Sequence, residues 1–287
     1  MSNLNKYPIY VISKGRVNNC LTANFLIKDG VEFILVVEPQ EYQEYRDKYP
    51  DIKIEQLPFS NKGLGSYPAR NWVWQNSIDN GYKKHWILDD NIRGVKRLYK
   101  GIRILSNSKW GFKFVEDLTD NYSNIAISGM NYEMFITDKT RQPIVINHHI
   151  YSNLLIDNSS SFRWRLRYNE DTDLNLQALK KGYCLLYTNI YSIQKMRTMT
   201  VRGGNTDELY KDNGRLKMAR MLEAVHPDVV TVKWKFGRPQ HVVDWHKFKQ
   251  RLIPIKNPKK INLDEYGKLT AINAVKSRKL NKLLSGV

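Results

Sequence analysis

The sequence predicts an α/β fold with a mostly parallel central sheet flanked by helices. Three observations predict it. Short apolar runs alternate with helix-like stretches through the first third of the chain, the pattern of a parallel sheet. Those runs end in polar or charged residues, where ligands of such sheets bind. The length of 287 residues, with 41% apolar and 11% aromatic residues, suits one large globular domain or one domain with a tail.

The elements follow in order. Ile9 to Ile12 is a strand ending at Ser13-Lys14-Gly15-Arg16. Phe33 to Val37 is a second, ending at Glu38-Pro39. Pro39 opens a helix that Pro50 ends. Ile52 to Leu57 is a third strand. Ser66 caps a helix that carries Pro68 in its first turn and stops before Gly81. Trp86 to Leu88 is a fourth strand, ending in Asp89-Asp90-Asn91. Ile125 to Ser128 and Met134 to Thr137 read as strands. Phe162 to Tyr168 alternates strictly and predicts a half-buried strand with Arg163, Arg165 and Arg167 on its open face. Glu170 to Lys181 is a helix closed by Gly182, Cys184 to Thr188 a strand, and Asp212 to Val225 a helix. The domain is placed at 1–252. Residues 253–287 form a basic extension, with a helix over Ala271 to Leu284 that serves either as a solvated terminal helix or as a nucleic-acid arm.

Composition narrows the function. Lys and Arg number 46 against 28 acids, a net charge of +18. Such a field attracts polyanions, nucleic acid first among them. Cys20 and Cys184 lie far apart and form no CxxC pair, which speaks against a zinc site or a disulfide framework. There is no signal-peptide pattern, and no apolar stretch nears the roughly 20 residues of a membrane span. A soluble, cytoplasmic protein is expected.

Six groups of residues carry candidate chemistry. Asp89, Asp90 and Asn91 offer hard oxygen donors to a divalent cation and leave room for a diphosphate; ordinary turn chemistry explains the same residues. Glu170, Asp171 and Asp173 open a helix, where acids stabilise the dipole and where one of them can act as general base toward a hydroxyl acceptor. Gly63-Leu64-Gly65 before the helix with Arg70 and Asn71 offers backbone N–H groups and a guanidinium to an anion. Arg202-Gly203-Gly204-Asn205-Thr206 is a hinged lid or a plain turn. His148, His149 and His241 are possible metal ligands, although packed structural histidines are the commoner outcome. Arg163, Arg165 and Arg167, with Trp164, form either a nucleic-acid surface or a solvated strand face.

Taken in order, PIYVISKGR, FILVVEPQEY, ARNWVW, HWILDDNI, FRWRLRYNEDTDLNLQ, TMTVRGGNTDELY and FGRPQHVVDW resemble the GT-A glycosyltransferases, and more closely the phage TET-associated glycosyltransferases. The resemblance spans roughly Pro8 to Trp245 and leaves the basic tail outside. It implies a GT-A sheet with a Rossmann-like nucleotide-binding half and an acceptor half. It also implies a UDP-sugar donor, and a nucleotide pocket of Ser13, Lys14, Arg16 and Glu38, with Arg70, Asp89 and Asp90 toward the diphosphate. Asp90, Asn91 and His241 would hold Mn2+ or Mg2+, although Asn91 stands where the usual Asp-x-Asp motif has its last Asp. Asp171 matches the base of inverting relatives, and Glu170 would orient it or contact the acceptor. The implied acceptor is 5-hydroxymethylcytosine in DNA, the implied sugar arabinose or glucose, and the setting an infected host cell if the chain is phage-encoded. Alternatives are a glycan or protein acceptor, a metal-dependent nuclease using Asp89, Asp90, Asp171 and Asp173, and a non-catalytic nucleic-acid-binding protein.

Overall fold

The computed structural model describes residues 5–99, 101–137, 139–140, 142–196 and 214–267. Its first half is a run of parallel strands and crossover helices. These are β1 (Ile9–Ile12), α1 (Leu21–Asp29), β2 (Ile34–Val37), α2 (Tyr42–Lys48), β3 (Lys53–Gln56), α3 (Tyr67–Asp79) and β4 (Lys84–Asp89). β1 is apolar at every position because both of its faces are buried. Ile9 and Val11 join one core cluster and Tyr10 joins the other.

The second half completes the sheet. β5 (Ile92–Tyr99) and β6 (Ile102–Ser106) form an antiparallel pair, followed by α4 (Ser108–Thr119), β7 (Ile125–Tyr132), β8 (Ile144–Ile146) and β9 (Asn153–Asp157). Then come α5 (Glu170–Lys180), β10 (Cys184–Lys195) and α6 (Gly214–Val225). A separate hairpin of β11 (Val230–Lys235) and β12 (Arg238–Val243) follows. The strand order is β3-β2-β1-β4-β9-β7-β10-β5-β6, with β8 beside β10. β3, β2, β1 and β4 run parallel, as do β7 and β10, while β9 runs antiparallel between β4 and β7. Most strands therefore run one way, with β9 reversed in the middle of the sheet and β5 and β8 reversed beside β10. α1, α2 and α4 pack on one face of the sheet through Leu26, Tyr45 and Phe112. α3 and α5 pack on the other through Trp74 and Leu179.

Several expectations change. Met134 to Thr137 is no strand; Glu133–Phe135 is a short 3₁₀ turn. Phe162 to Arg165 alternates in exposure, with Phe162 and Trp164 buried and Arg163 and Arg165 exposed, but Leu166, Arg167 and Tyr168 are all half-buried and the segment pairs with no strand. Asn71 of α3 holds it instead: its amide donates to the Trp164 carbonyl at 2.7 Å, and its oxygen accepts from the Trp164 N–H at 3.1 Å. Trp164, at 1% exposure, is core and cannot stack on a base. β10 continues seven residues past the expected end at Thr188.

The chain past residue 252 does not leave the domain at once. Tyr266 is fully buried, edge-on to Phe114 at 5.2 Å, and its hydroxyl donates to Asp117 at 2.9 Å. Its carbonyl accepts from Arg97 at 3.0 Å. Tyr266→Ala is expected to cost about 3–5 kcal/mol of stability, the range for emptying a buried aromatic site, checked by urea unfolding. A change under about 0.5 kcal/mol, the size typical of surface substitutions, would show that this segment is not part of the core. The expected helix over Ala271 to Leu284 lies outside the described residues.

Candidate active site

The parallel strands bring their carboxyl ends to one cleft. β1 delivers Ser13, Lys14 and Arg16, β2 delivers Glu38, and β4 delivers Asp89, Asp90 and Asn91. The start of α3 adds Arg70 and the start of α5 adds Glu170. The cavity holds about 330 Å³, the size of a small-molecule site. Gly65 closes one wall. Its φ is +78°, and an added Cβ would lie 2.6 Å from the Arg167 carbonyl, so only glycine lets this loop meet the 162–169 segment.

Charge is arranged in three groups. At the mouth, Glu38 accepts from Lys14 at 2.9 Å and from the Asn61 N–H at 3.1 Å. Burial pushes its carboxyl up, but the bonds from Gln40 and Lys14 prevail and hold it below the usual range. Deeper in, Ser13 donates to Asp90 at 2.8 Å and Arg16 pairs with the other Asp90 oxygen. Burial still raises the Asp90 carboxyl against both partners. At the centre, Asp89 accepts from Arg70 at 2.7 Å, Lys195 at 2.7 Å and Ser152 at 2.6 Å. Burial opposes its ionisation, yet Lys195 and Arg70 together hold it well below the ordinary carboxylate range.

Ser66 does not cap α3 through its side chain. Its hydroxyl donates to Glu170 at 2.7 Å and accepts from Arg70 Nε at 2.9 Å. That bridge ties the α3 N-terminus to the α5 N-terminus. Arg70 lies over the Trp164 ring at 4.6 Å, and its Nη1 is buried with no hydrogen-bond partner. A buried guanidinium N–H without an acceptor is costly unless a ligand anion supplies one.

Asp171, next to Glu170, is half-buried and accepts from the Thr172 N–H at 2.7 Å. Burial first, then the neighbouring Glu170 charge, pushes its carboxyl up to about 7 against the pull of Arg70. A carboxyl so placed can take up a proton near neutral pH.

This order of elements has a counterpart among known sequences. The profile of the TET-associated glycosyltransferases matches residues 7–204, which include every strand-end residue of the cleft. The chain belongs to that family. It is a glycosyltransferase with a mixed α/β fold. No curated protein matches its sequence. Among solved structures it is similar to a protein of Desulfovibrio desulfuricans G20 whose name gives it as a proposed nucleotide-diphospho-sugar transferase. That pair shares 10% identity over 64% of this chain and 79% of the other, with a TM-score of 0.39.

In this TET-associated glycosyltransferase the other expected residues fall as follows. Asp173 is fully buried under Arg165 at 2.9 Å, His226 at 2.7 Å and Gln177 at 2.8 Å. It braces α5 and faces no cleft, so a two-metal nuclease site with Asp89, Asp90 and Asp171 does not assemble. Arg165 is thereby committed to Asp173. Arg163 donates to the Ser160 and Phe162 carbonyls at 2.6 and 2.7 Å and lies over Trp74 at 4.5 Å. Arg167 lies over the Tyr168 ring at 5.4 Å. The three arginines therefore share no strand face. His241 sits on β12, half-buried, and does not line the cleft. His148 and His149 stack within an aromatic group with Trp245 and Tyr151. Arg202 to Thr206 lies outside the described residues.

Lys195 and Ser152 escaped the sequence reading. Lys195 ends the long β10 at a register shift that turns it toward Asp89. Ser152 adopts a positive φ of 61° before β9 and bonds Tyr132 at 2.6 Å as well as Asp89.

The donor set fits a hard cation held jointly with a ligand. Both carboxylates are engaged, Asp89 by Arg70, Lys195 and Ser152 and Asp90 by Ser13 and Arg16, so a cation would share Asp90 with those donors, while Asn91 Oδ1 is buried without a partner. Two protein oxygens plus substrate phosphates suit Mg2+ or Mn2+ better than an all-protein cage. Among the described residues no three His, Cys, Asp or Glu side chains form such a cage. Among them, too, no helix is long and apolar enough to cross a membrane.

Proposed function

We propose that the chain transfers a sugar, arabinose or glucose, from a UDP-sugar to the hydroxymethyl group of 5-hydroxymethylcytosine in DNA. The observation that carries the donor half is the unpartnered Arg70 N–H in a cleft that also holds Arg16. Both suit a diphosphate. The acceptor half rests on the net charge of +18, which a small acceptor would not require.

Asp171 acts as the base. The acceptor oxygen attacks the anomeric carbon while its proton passes to the Asp171 carboxylate. The bond from that carbon to the diphosphate oxygen breaks, and the electron pair leaves with UDP. One direct displacement inverts the anomeric centre. The Glu170 charge, held nearby by Ser66, raises the basicity of Asp171. Arg16 and Arg70 would face the diphosphate as charge builds on it. Asp90 and Asn91 would hold Mn2+ or Mg2+, which when bound adds charge neutralisation at the diphosphate.

The test is a transfer assay on duplex DNA containing hydroxymethylcytosine, with a panel of UDP-sugars and manganese, read by nucleoside mass spectrometry. A sugar-sized mass gain on the modified base is expected. UDP binding without any gain would move the acceptor to a glycan or protein, and failure to bind UDP would remove the donor as well. Chelation by EDTA is expected to lower transfer at least about tenfold, with recovery on adding manganese. Asn91→Ala is expected to raise the manganese concentration needed for half recovery, measured by titration. An unchanged titration would free Asn91 from this role.

A further inference from the structure

The β11–β12 hairpin lies beyond the residues matched by the family profile. Its base is fixed to the domain. Val230 is buried with Leu222 of α6 and Leu176 of α5, the helix whose first turn carries Asp171. The Val232 N–H donates to Glu223 at 2.8 Å, and the Asp244 N–H donates to the Val229 carbonyl at 2.9 Å.

Its tip is free of such packing. Trp234 is 74% exposed and Phe236 is 90% exposed, the two most exposed large apolar side chains among the described residues. Lys235 pairs with Arg238 across a two-residue turn, Phe236-Gly237, in which both φ values are positive, 54° and 71°. That twist matches the flanking strands. It nonetheless puts a bulky side chain where glycine or asparagine is the usual choice. From Val230 to Val243 the sequence VTVKWKFGRPQHVV contains no acid. Lys233, Lys235 and Arg238 are exposed, and no acid among the described residues pairs with them. The folding of this domain accounts for none of these choices.

We propose that the hairpin tip is a DNA-gripping element, with Lys233, Lys235 and Arg238 on phosphates and Trp234 and Phe236 stacked on base faces. The proposal rests on the DNA-acceptor reading above and names the surface that would hold that acceptor. Charge selects the occupant: three cations that no acid among the described residues pairs with, and with no acid between them in sequence, on a chain of +18, match a polyanion rather than an apolar protein surface. Shape agrees, because the major groove admits a two-stranded ribbon, and the C5 substituent of a pyrimidine lies in that groove. Exposed aromatics beside cations hold unstacked bases of any sequence, and in a duplex such base faces open where the target nucleotide is flipped out of the helix. The root on α5 couples the grip to the helix that presents the proposed base.

Two variants test it, Trp234→Ala/Phe236→Ala and Lys233→Ser/Lys235→Ser/Arg238→Ser. Neither removes a buried side chain. Binding to a hydroxymethylcytosine duplex would be followed by fluorescence anisotropy across a salt series, and UDP binding by calorimetry. The aromatic variant is expected to lose about tenfold or more in DNA affinity, the scale of removing a base-stacking ring, with its salt slope unchanged. The cation variant is expected to flatten the slope of log K against log salt by about 2–3, since each phosphate no longer neutralised removes about 0.9. UDP affinity should hold in both. If the wild-type protein glycosylates and binds DNA and both variants bind it equally well, the hairpin proposal fails alone. If the wild-type protein binds UDP but no DNA, the acceptor reading fails and takes the hairpin proposal with it. A wild-type dimer that the aromatic variant dissolves, with DNA affinity unchanged, would give the tip to a second copy of the chain and overturn the proposal.

Discussion

Asp171→Asn is expected to abolish most transfer, by about 100- to 10,000-fold in kcat, the range for loss of a positioned general base. Donor binding should survive, because Asp171 does not line the cleft that holds Arg16, Arg70 and Glu38. In the wild-type enzyme the transfer rate should rise with pH through about 7, where the Asp171 carboxyl gives up its proton. The residual activity of the variant should lack that rise. Stability should move the other way. A folded-state pKa raised above the unfolded value favours folding below the unfolded pKa, and that advantage disappears as pH climbs to the folded one. Above pH 7 the wild-type protein therefore carries a partly desolvated charge beside Glu170 that the amide removes. The variant is expected to gain about 1–2 kcal/mol at pH 8 and little at pH 4, checked by thermal unfolding at both. Turnover near the wild-type value would reject Asp171 as the base. A stability gain alone would leave it a strained carboxylate with no catalytic part.

How much of this could be read from the sequence depended on how local each cause was. Ser13, Glu38 and Asp89 to Asn91 were legible because each ends a continuous apolar run, and the parallel sheet gathers those ends at one cleft. Asp171 was legible as one of three acids opening a helix, but its separation from Asp173 was not. Only the fold shows that Asp173 turns under Arg165 and His226. The alternation was real as a pattern of burial only over 162–165 and misleading as a strand, since Asn71, ninety-three residues away from Trp164, makes the bonds that a ladder would have made. Lys195 was hidden because its strand passes through the polar pair Thr188-Asn189 and bends before reaching Asp89. The hairpin tip left a local trace in Phe236-Gly237, but the exposure of Trp234 follows only from what fails to pack against it.

Lys195→Met is expected to lower transfer by about 100-fold, as removal of a preorganised charge from such a site does, and to destabilise the fold by about 2 kcal/mol. That cost lies between those of exposed and fully buried pairs, because Arg70 still faces Asp89. Lys195 is a positioning residue: its ammonium holds Asp89 and Ser152 together where β4, β9 and β10 meet. The sign of the pH effect follows. In the wild-type protein the Asp89 carboxyl is held low, so the stability it contributes is present above the ordinary carboxylate pKa and is lost as pH falls toward the depressed folded value. Without Lys195 that folded value rises, and the loss should begin at higher pH in melting curves taken from about pH 7 down to about pH 3. Adding Asp89→Asn separates the two roles. The double variant removes the carboxylate that Lys195 neutralised but leaves buried Arg70 with Glu170 as its remaining acidic neighbour, so it is expected to recover only part of the lost stability. It should stay as inactive as Lys195→Met, because the charge array around the proposed diphosphate site remains incomplete. Recovery of activity along with stability would reduce Lys195 to a structural ion pair, whereas recovery of stability alone places it in the machinery of transfer.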